Sequence, residues 1–141
     1  MNGKLLIVDD EEHILKMLSE FFKTEGVEVV TAGDGETALK YLKSNNVDLM
    51  ISDIMMPRLS GVKLFYEVRK IDPFLQFIVI TGYPSIQNIV EMLEAGVNDF
   101  IVKPFSLKDL REVVDQAFAR VERWRKLRND WITHSKSAPE K

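Results

Sequence analysis

Residues 5–12 read Leu5-Leu6-Ile7-Val8-Asp9-Asp10-Glu11-Glu12, four apolar residues without a break and then four carboxylates. A short, continuous apolar run marks a strand buried on both faces, as in a parallel sheet covered by helices on each side. Immediately downstream the period changes. Ile14, Met17, Leu18, Phe21 and Phe22 recur at three- and four-residue spacing, which predicts a helix from about Glu12 to Glu25, with Gly26 placed to end it. Val27 to Ala32 is short and β-branched, and Gly33-Asp34-Gly35 turns the chain. Asp34 is placed to cap a helix through Ala38, Leu39 and Leu42.

The same alternation runs on. Strands are predicted at Val47 to Ser52, Phe77 to Ile80 and Phe100 to Val102. Between them lie a loop at Pro57 to Gly61, a helix through Val62, Leu64, Phe65 and Val68 broken at Asp72-Pro73, and a helix to about Ala95 with Pro84 in its first turn. Ser106 is a cap for a last helix. Five strand–helix units with right-handed crossovers make an α/β, doubly wound five-stranded parallel sheet with helices on both faces.

Composition agrees. With 141 residues and 45% apolar content the chain suits one domain with a real core. No apolar run approaches a membrane span, the acidic start is not a signal peptide, and zero Cys removes disulfides, thiolate metal sites and cysteine nucleophiles, so the reading is cytoplasmic. Residues 1–118 carry 12 Lys and Arg against 19 Asp and Glu, whereas residues 119–141 carry 7 against 3. The acidic body repels phosphate backbones, so no nucleic acid is expected on it, and no membrane. The basic end reads as a solvated helix and linker.

In open parallel sheets ligands bind at the carboxyl ends of the strands. Here those ends carry Asp9-Asp10, Asp53, Thr81-Gly82 and Lys103-Pro104. Taken together they predict one pocket with three carboxylates, a hydroxyl and an ammonium. Crowded carboxylates call for a cation, and oxygen-only donors suit Mg²⁺. A strand-end Asp beside Mg²⁺ and Lys is suited to act as nucleophile on a phosphoryl group, because carboxylates form acyl phosphates. His13 and His134 lack a partner at ligand spacing and read as solvated surface, and the six Met read as gap-fillers of the core.

The segments LLIVDDEE (5–12), DLMISDIMMPRLSG (48–61), FIVITGY (77–83) and DFIVKPF (99–105) resemble the receiver domain of two-component response regulators. Their order matches the family across residues 4–118, as do the intervals of 43 residues from Asp10 to Asp53, 28 to Thr81 and 22 to Lys103. The resemblance implies a flavodoxin-like strand order, 2-1-3-4-5, and a cis peptide at Lys103-Pro104. It implies that Asp9, Asp10, Asp53 and the Met55 backbone carbonyl hold Mg²⁺, and that Asp53 is the phosphoacceptor. Lys103 is implied as the phosphate-contacting lysine, with Thr81 and Phe100 as the switch pair. The chain is then a phosphorylation switch charged by a sensor histidine kinase or phosphotransfer protein, not a turnover enzyme. Its output surface is the face formed by the fourth helix, fifth strand and fifth helix. Asp10→Asn is expected to weaken Mg²⁺ binding and relieve carboxylate repulsion. Met55 and Tyr83, two residues after Asp53 and Thr81, offer no group to orient a hydrolytic water, which implies a long phosphoryl lifetime. The run 81–105 looks more like receivers attached to ATPase-type activators or signalling enzymes than those attached to winged helices, because Val113 stands where a basic partner for Asp99 is usual.

Two other chemistries fit less well. A flavodoxin-type FMN loop is hydroxyl-rich, whereas Asp9 to Glu12 repels a phosphate without a metal. An aspartyl phosphatase wants a second acid two residues after Asp53, where Met55 stands.

The chain divides into a receiver unit, 1–120, and a helix extension with linker or tail, 121–141. Glu11, His13, Ile14, Met17 and Glu20, on the first helix, are expected to dock the kinase together with the loop after strand five. Leu107, Leu110, Val114, Ala117, Val121, Trp124 and Trp131 keep a 3-4 spacing interrupted at Arg128, which predicts a long last helix. Val121, Trp124 and Trp131 are its expected self-association residues, making a homodimer, with the tryptophans lacking any core beneath them.

Overall fold

The structure is a computed structural model and describes residues 1–82 and 85–137, with side chains to Thr133. Ten elements alternate: β1 (Lys4–Val8), α1 (Glu12–Thr24), β2 (Glu28–Ala32), α2 (Gly35–Leu42), β3 (Leu49–Asp53), α3 (Gly61–Ile71), β4 (Gln76–Thr81), α4 (Ile86–Ala95), β5 (Asp99–Val102) and α5 (Leu107–Ser137). The five strands form one parallel sheet in the order β2-β1-β3-β4-β5. Both the predicted fold class and the strand order are observed.

Strand alternation sorts the core into two layers even where every strand residue is apolar. Leu5, Ile7, Leu49, Ile51, Ile78 and Ile80 face α1 and α5, against Leu18, Phe22, Leu110, Val114 and Ala117. Leu6, Val8, Met50, Phe77 and Val79 face α2, α3 and α4, against Ala38, Leu42, Leu64, Phe65, Val68 and Met92. Nearly all of these side chains are fully buried, so the loss of any large one costs about 2–5 kcal/mol.

Helix ends follow local chemistry. Asp34, Ser60, Ser85 and Ser106 each accept a backbone N–H three residues on, from Thr37, Lys63, Asn88 and Asp109. Gly26 closes α1: at φ +82° its N–H reaches the Lys23 carbonyl while that of Val27 reaches Phe22. α4 begins at Ile86 behind its Ser85 cap; the expectation for Pro84 falls outside the described residues.

The last helix is long, as expected, and is fastened to the sheet by Arg120, whose Nε donates to Gln76 Oε1 at 2.9 Å. Arg125 pairs with Asp48, at the amino-terminal edge of the sheet. Val121 is 8% exposed and belongs to the chain's own interior. The expectation that Trp124 has nothing beneath it needs correction: 38% exposed, it lies edge-on against Phe74, ring centroids 6.4 Å apart. The α3–β4 loop reaches the helix where the periodicity of α5 alone showed no cover. Trp131 is open, at 69% exposure. The methionines also divide: Met50, Met56 and Met92 fill the core, but Met17 and Met55 are exposed, because they sit on a helix surface and a loop. Among the described residues no helix is long and apolar enough to cross a membrane.

Candidate functional site

The sheet register builds the site. Val8 pairs with Ser52, so the residues that follow them, Asp9 and Asp53, come level at adjacent strand ends. Asp53 pairs with Ile80 and Thr81 with Val102, which sets Thr81 and then Lys103 one step further out along the same edge. Parallel strands bring all these ends to one rim.

Each buried carboxylate divides its oxygens. Asp9 Oδ1 accepts the Glu11 N–H at 2.9 Å and Asp53 Oδ1 accepts the Met55 N–H at 3.1 Å. Their Oδ2 atoms face the Lys103 ammonium, 3.5 Å away from Asp9 and 3.1 Å from Asp53. Asp9 is 2% and Asp53 6% exposed. Asp10 is exposed at the mouth, and one oxygen from each of Asp9, Asp10 and Asp53 lies within 4.8 Å of the others. Three carboxylates against one ammonium leave two negative charges unbalanced. A divalent cation bound by oxygen would balance them, and this donor set fits Mg²⁺.

Electrostatics record the crowding. Burial pushes the Asp9 carboxyl above its ordinary range; the Glu11 N–H and Lys103 oppose this, while Asp53 and Glu11 add to it. For Lys103 burial is the largest single influence and lowers its pKa. The hydrogen bond to Asp53 and the charges of Asp9, Asp53 and Glu11 together outweigh burial, and the pKa is raised. The ammonium is therefore held firmly charged between the two aspartates.

Thr81 is fully buried at the end of β4, and its carbonyl accepts the Lys103 N–H at 2.8 Å. Lys103-Pro104 is cis. Phe100 is half-buried on β5, against the core layer beneath α4. Asp9, Asp10, Asp53 and Lys103 are thus brought together, with Met55 contributing its backbone and Thr81 bonded through its carbonyl to Lys103. The side chain of Met55 is 58% exposed, and Tyr83 lies outside the described residues.

Glu11, His13, Met17 and Glu20 are exposed on or beside α1 and Ile14 is half-buried against the core. His13 stands 3.4 Å from Glu11, on the surface as expected; the side chain of His134 and the segment 138–141 lie outside the described residues.

One residue the sequence reading passed over is structurally decisive. A Cβ on Gly61 would stand 2.4 Å from the Asp53 carbonyl oxygen and 2.7 Å from Ile54 Cα, and the Gly61 N–H donates to the Ile54 carbonyl at 2.9 Å. The start of α3 thereby presses against the backbone that carries Asp53. Its signal was a glycine just inside a helix already capped by Ser60, where no turn requires one. Arg58, at φ 67°, holds the strained point of the same loop.

Comparison with known proteins agrees with this geometry. The profile described as response regulator receiver domain matches residues 5–115. The transcriptional regulatory protein GlrR of Escherichia coli (strain K12) is 38% identical over 126 residues, covering 86% of this chain and 28% of that protein. The alkaline phosphatase synthesis transcriptional regulatory protein PhoP of Bacillus subtilis (strain 168) is 34% identical over 122 residues, 86% of this chain and 51% of that one. The chain thus spans between about a quarter and a half of these relatives. Among solved structures, the CheY-like receiver domain protein of Methanospirillum hungatei JF-1 superposes with a TM-score of 0.83 at 31% identity, over 87% of this chain and 98% of that one. NtrX from Brucella abortus gives 0.84 at 31% identity, over 92% of this chain and 29% of that one.

Proposed function

The chain belongs to the response regulator receiver family, and on that premise we propose that it is a two-component switch phosphorylated on Asp53. The donor is a phosphohistidine of a sensor histidine kinase or phosphotransfer protein. A carboxylate oxygen of Asp53 bonds to phosphorus as the phosphorus–nitrogen bond to the histidine breaks, and the nitrogen leaves with its electron pair. Asp9, Asp10, Asp53 and the Met55 carbonyl are the proposed ligands of Mg²⁺, which when bound supplies charge neutralisation at the phosphoryl oxygens. The chain's own residues do the rest. The Met55 N–H holds Asp53 in place, and Lys103, charged and 3.1 Å away, is free to follow the new negative charge outward. Thr81 and Phe100 are the proposed relay to α4, β5 and α5.

The observation that carries this reading is Lys103 lying between Asp53 and Asp9 at one strand edge, with Asp10 at its mouth. Ile86, Val90, Leu93 and Val102 form an exposed apolar group on α4 and β5, which supports that face as the output surface. Glu11, His13, Ile14, Met17 and Glu20 are the proposed kinase contacts, beside the site on α1. The reading is of a phosphoacceptor in the cytoplasm rather than a turnover enzyme, with residues 1–120 as the receiver unit and α5 leading on to an output partner or domain. The test is intact-mass measurement after incubation with Mg²⁺ and acetyl phosphate. One acid-labile phosphate, lost when Mg²⁺ is chelated, is expected; no mass gain would refute the proposal.

A further inference from the structure

Beyond Val121 the α5 helix leaves the sheet but keeps its apolar face. Trp124, Leu127, Trp131 and Ile132 are 38, 56, 69 and 37% exposed. Trp124 and Phe74 wall a cleft of about 460 Å³ whose apolar side is completed by Val47, Leu75 and Val121 and whose polar rim carries Asn46, Asp48, Asp72, Arg125 and Arg128. The cleft opens at the amino-terminal edge of the sheet, the end away from Asp53.

Trp131 shares the helical face of Val121, Trp124 and Arg128 at 3-4 spacing, ten residues on from Val121. That is ~15 Å along the axis, so a continuous helix cannot return this ring to its own cleft. A protruding indole and an open aromatic-walled hole, displaced along one face, are self-complementary. A two-fold axis across the helix puts each knob in the other's hole.

The geometry points to a second copy of this chain as the occupant, docked antiparallel along α5 so that the partner's Trp131 fills the cleft between Val121, Trp124 and Phe74. Charge selects the direction. Arg128 interrupts the apolar seam, and among the described residues it has no ion-pair partner. In a parallel pair it would face its own copy within the seam, a like-charge contact. In the antiparallel pair its guanidinium lies over the partner's Trp124, a cation on an indole face. Arg125 approaches its copy near the axis, but each is already neutralised by Asp48 and by Glu122, the latter at 3.3 Å. On the opposite flank Leu127 meets its copy.

The chain has no cysteine, so single-cysteine variants report orientation directly. Ala119, Lys126 and Thr133 are exposed and spaced by seven residues along the outer side of α5. Spin labels on Ala119→Cys, Lys126→Cys and Thr133→Cys, read by pulsed electron paramagnetic resonance on the full chain, distinguish the arrangements. Antiparallel docking gives the shortest distance at 126 and longer ones at 119 and 133, where labels are offset by ~21 Å along the axis. Three equal distances, as in a parallel pair, overturn the proposal, and so does a chain that sediments as a monomer throughout. Trp131→Ala, at an exposed position, is expected to turn dimer into monomer with an unchanged circular dichroism spectrum; a dimer that survives overturns it. A monomer whose tryptophan emission shifts to the blue only with phosphatidylglycerol vesicles would make a membrane surface the occupant, and the proposal fails.

Discussion

The Lys103 ammonium stands 3.1 Å from Asp53 Oδ2, although fifty residues separate them in sequence. It is the cation closest to the carboxylate that would carry phosphate, and it also faces Asp9 at 3.5 Å. Asp53→Asn is expected to abolish phosphate incorporation from acetyl phosphate, read by intact mass. Lys103→Met is expected to keep incorporation but to uncouple it from the α4-β5-α5 face, read as loss of the phosphorylation-induced chemical-shift changes there.

Asp9 gives a pH prediction. Its folded pKa lies above the ordinary 3.8, chiefly through burial. Between those two values the folded state binds more protons than the unfolded one, so stability falls as pH rises through that window. Asp9→Asn is therefore expected to melt higher than the parent at neutral pH without metal, with the advantage shrinking as pH falls towards 3.8. Added Mg²⁺ should raise the melting temperature of the parent and not of the variant. The relief expected from Asp10→Asn belongs at Asp9 instead, because Asp10 is exposed to water. For Lys103 the slope has the same sign, but at neutral pH the contribution is favourable: its stabilisation is complete below 10.5 and disappears as pH rises through its raised pKa.

Gly61→Ala tests the contact beneath Asp53. The clash is with backbone atoms at 2.4 and 2.7 Å, so either α3 or the end of β3 must move. A loss of about 1–3 kcal/mol in urea denaturation is expected, together with slower phosphorylation. An unchanged rate would mean that α3 alone gives way.

At the opposite edge, Asp48 does more than Arg125. Its Oδ2 accepts the Lys4 N–H at 2.8 Å, and its other oxygen pairs with Arg125. Arg125→Ala should cost no more than about 1 kcal/mol, as for a half-exposed ion pair. Asp48→Ala should cost about 1–3 kcal/mol, because it also strands a backbone donor at the start of β1. Equal costs in denaturation would show that the Lys4 bond contributes nothing.

Local pattern sufficed for the strands and helices, because an apolar run and a 3-4 spacing are written in consecutive residues. It also sufficed for the chemical types at the strand ends, since parallel strands deliver their carboxyl ends to one rim whatever fills the core. Burial that depends on distant chain was not legible. Asp9 and Asp10 are neighbours with the same side chain, yet as the chain bends away from the sheet after β1 one is buried and the other exposed. Gly61 is required only because α3 closes on the backbone of β3. Trp124 looked open along the helix, but Phe74, 50 residues before it, lies edge-on against its ring. By itself the sequence determined which residues meet at the rim. Tertiary packing decided which of them lose their water, and the protonation of Asp9 and the charge on Lys103 depend on that.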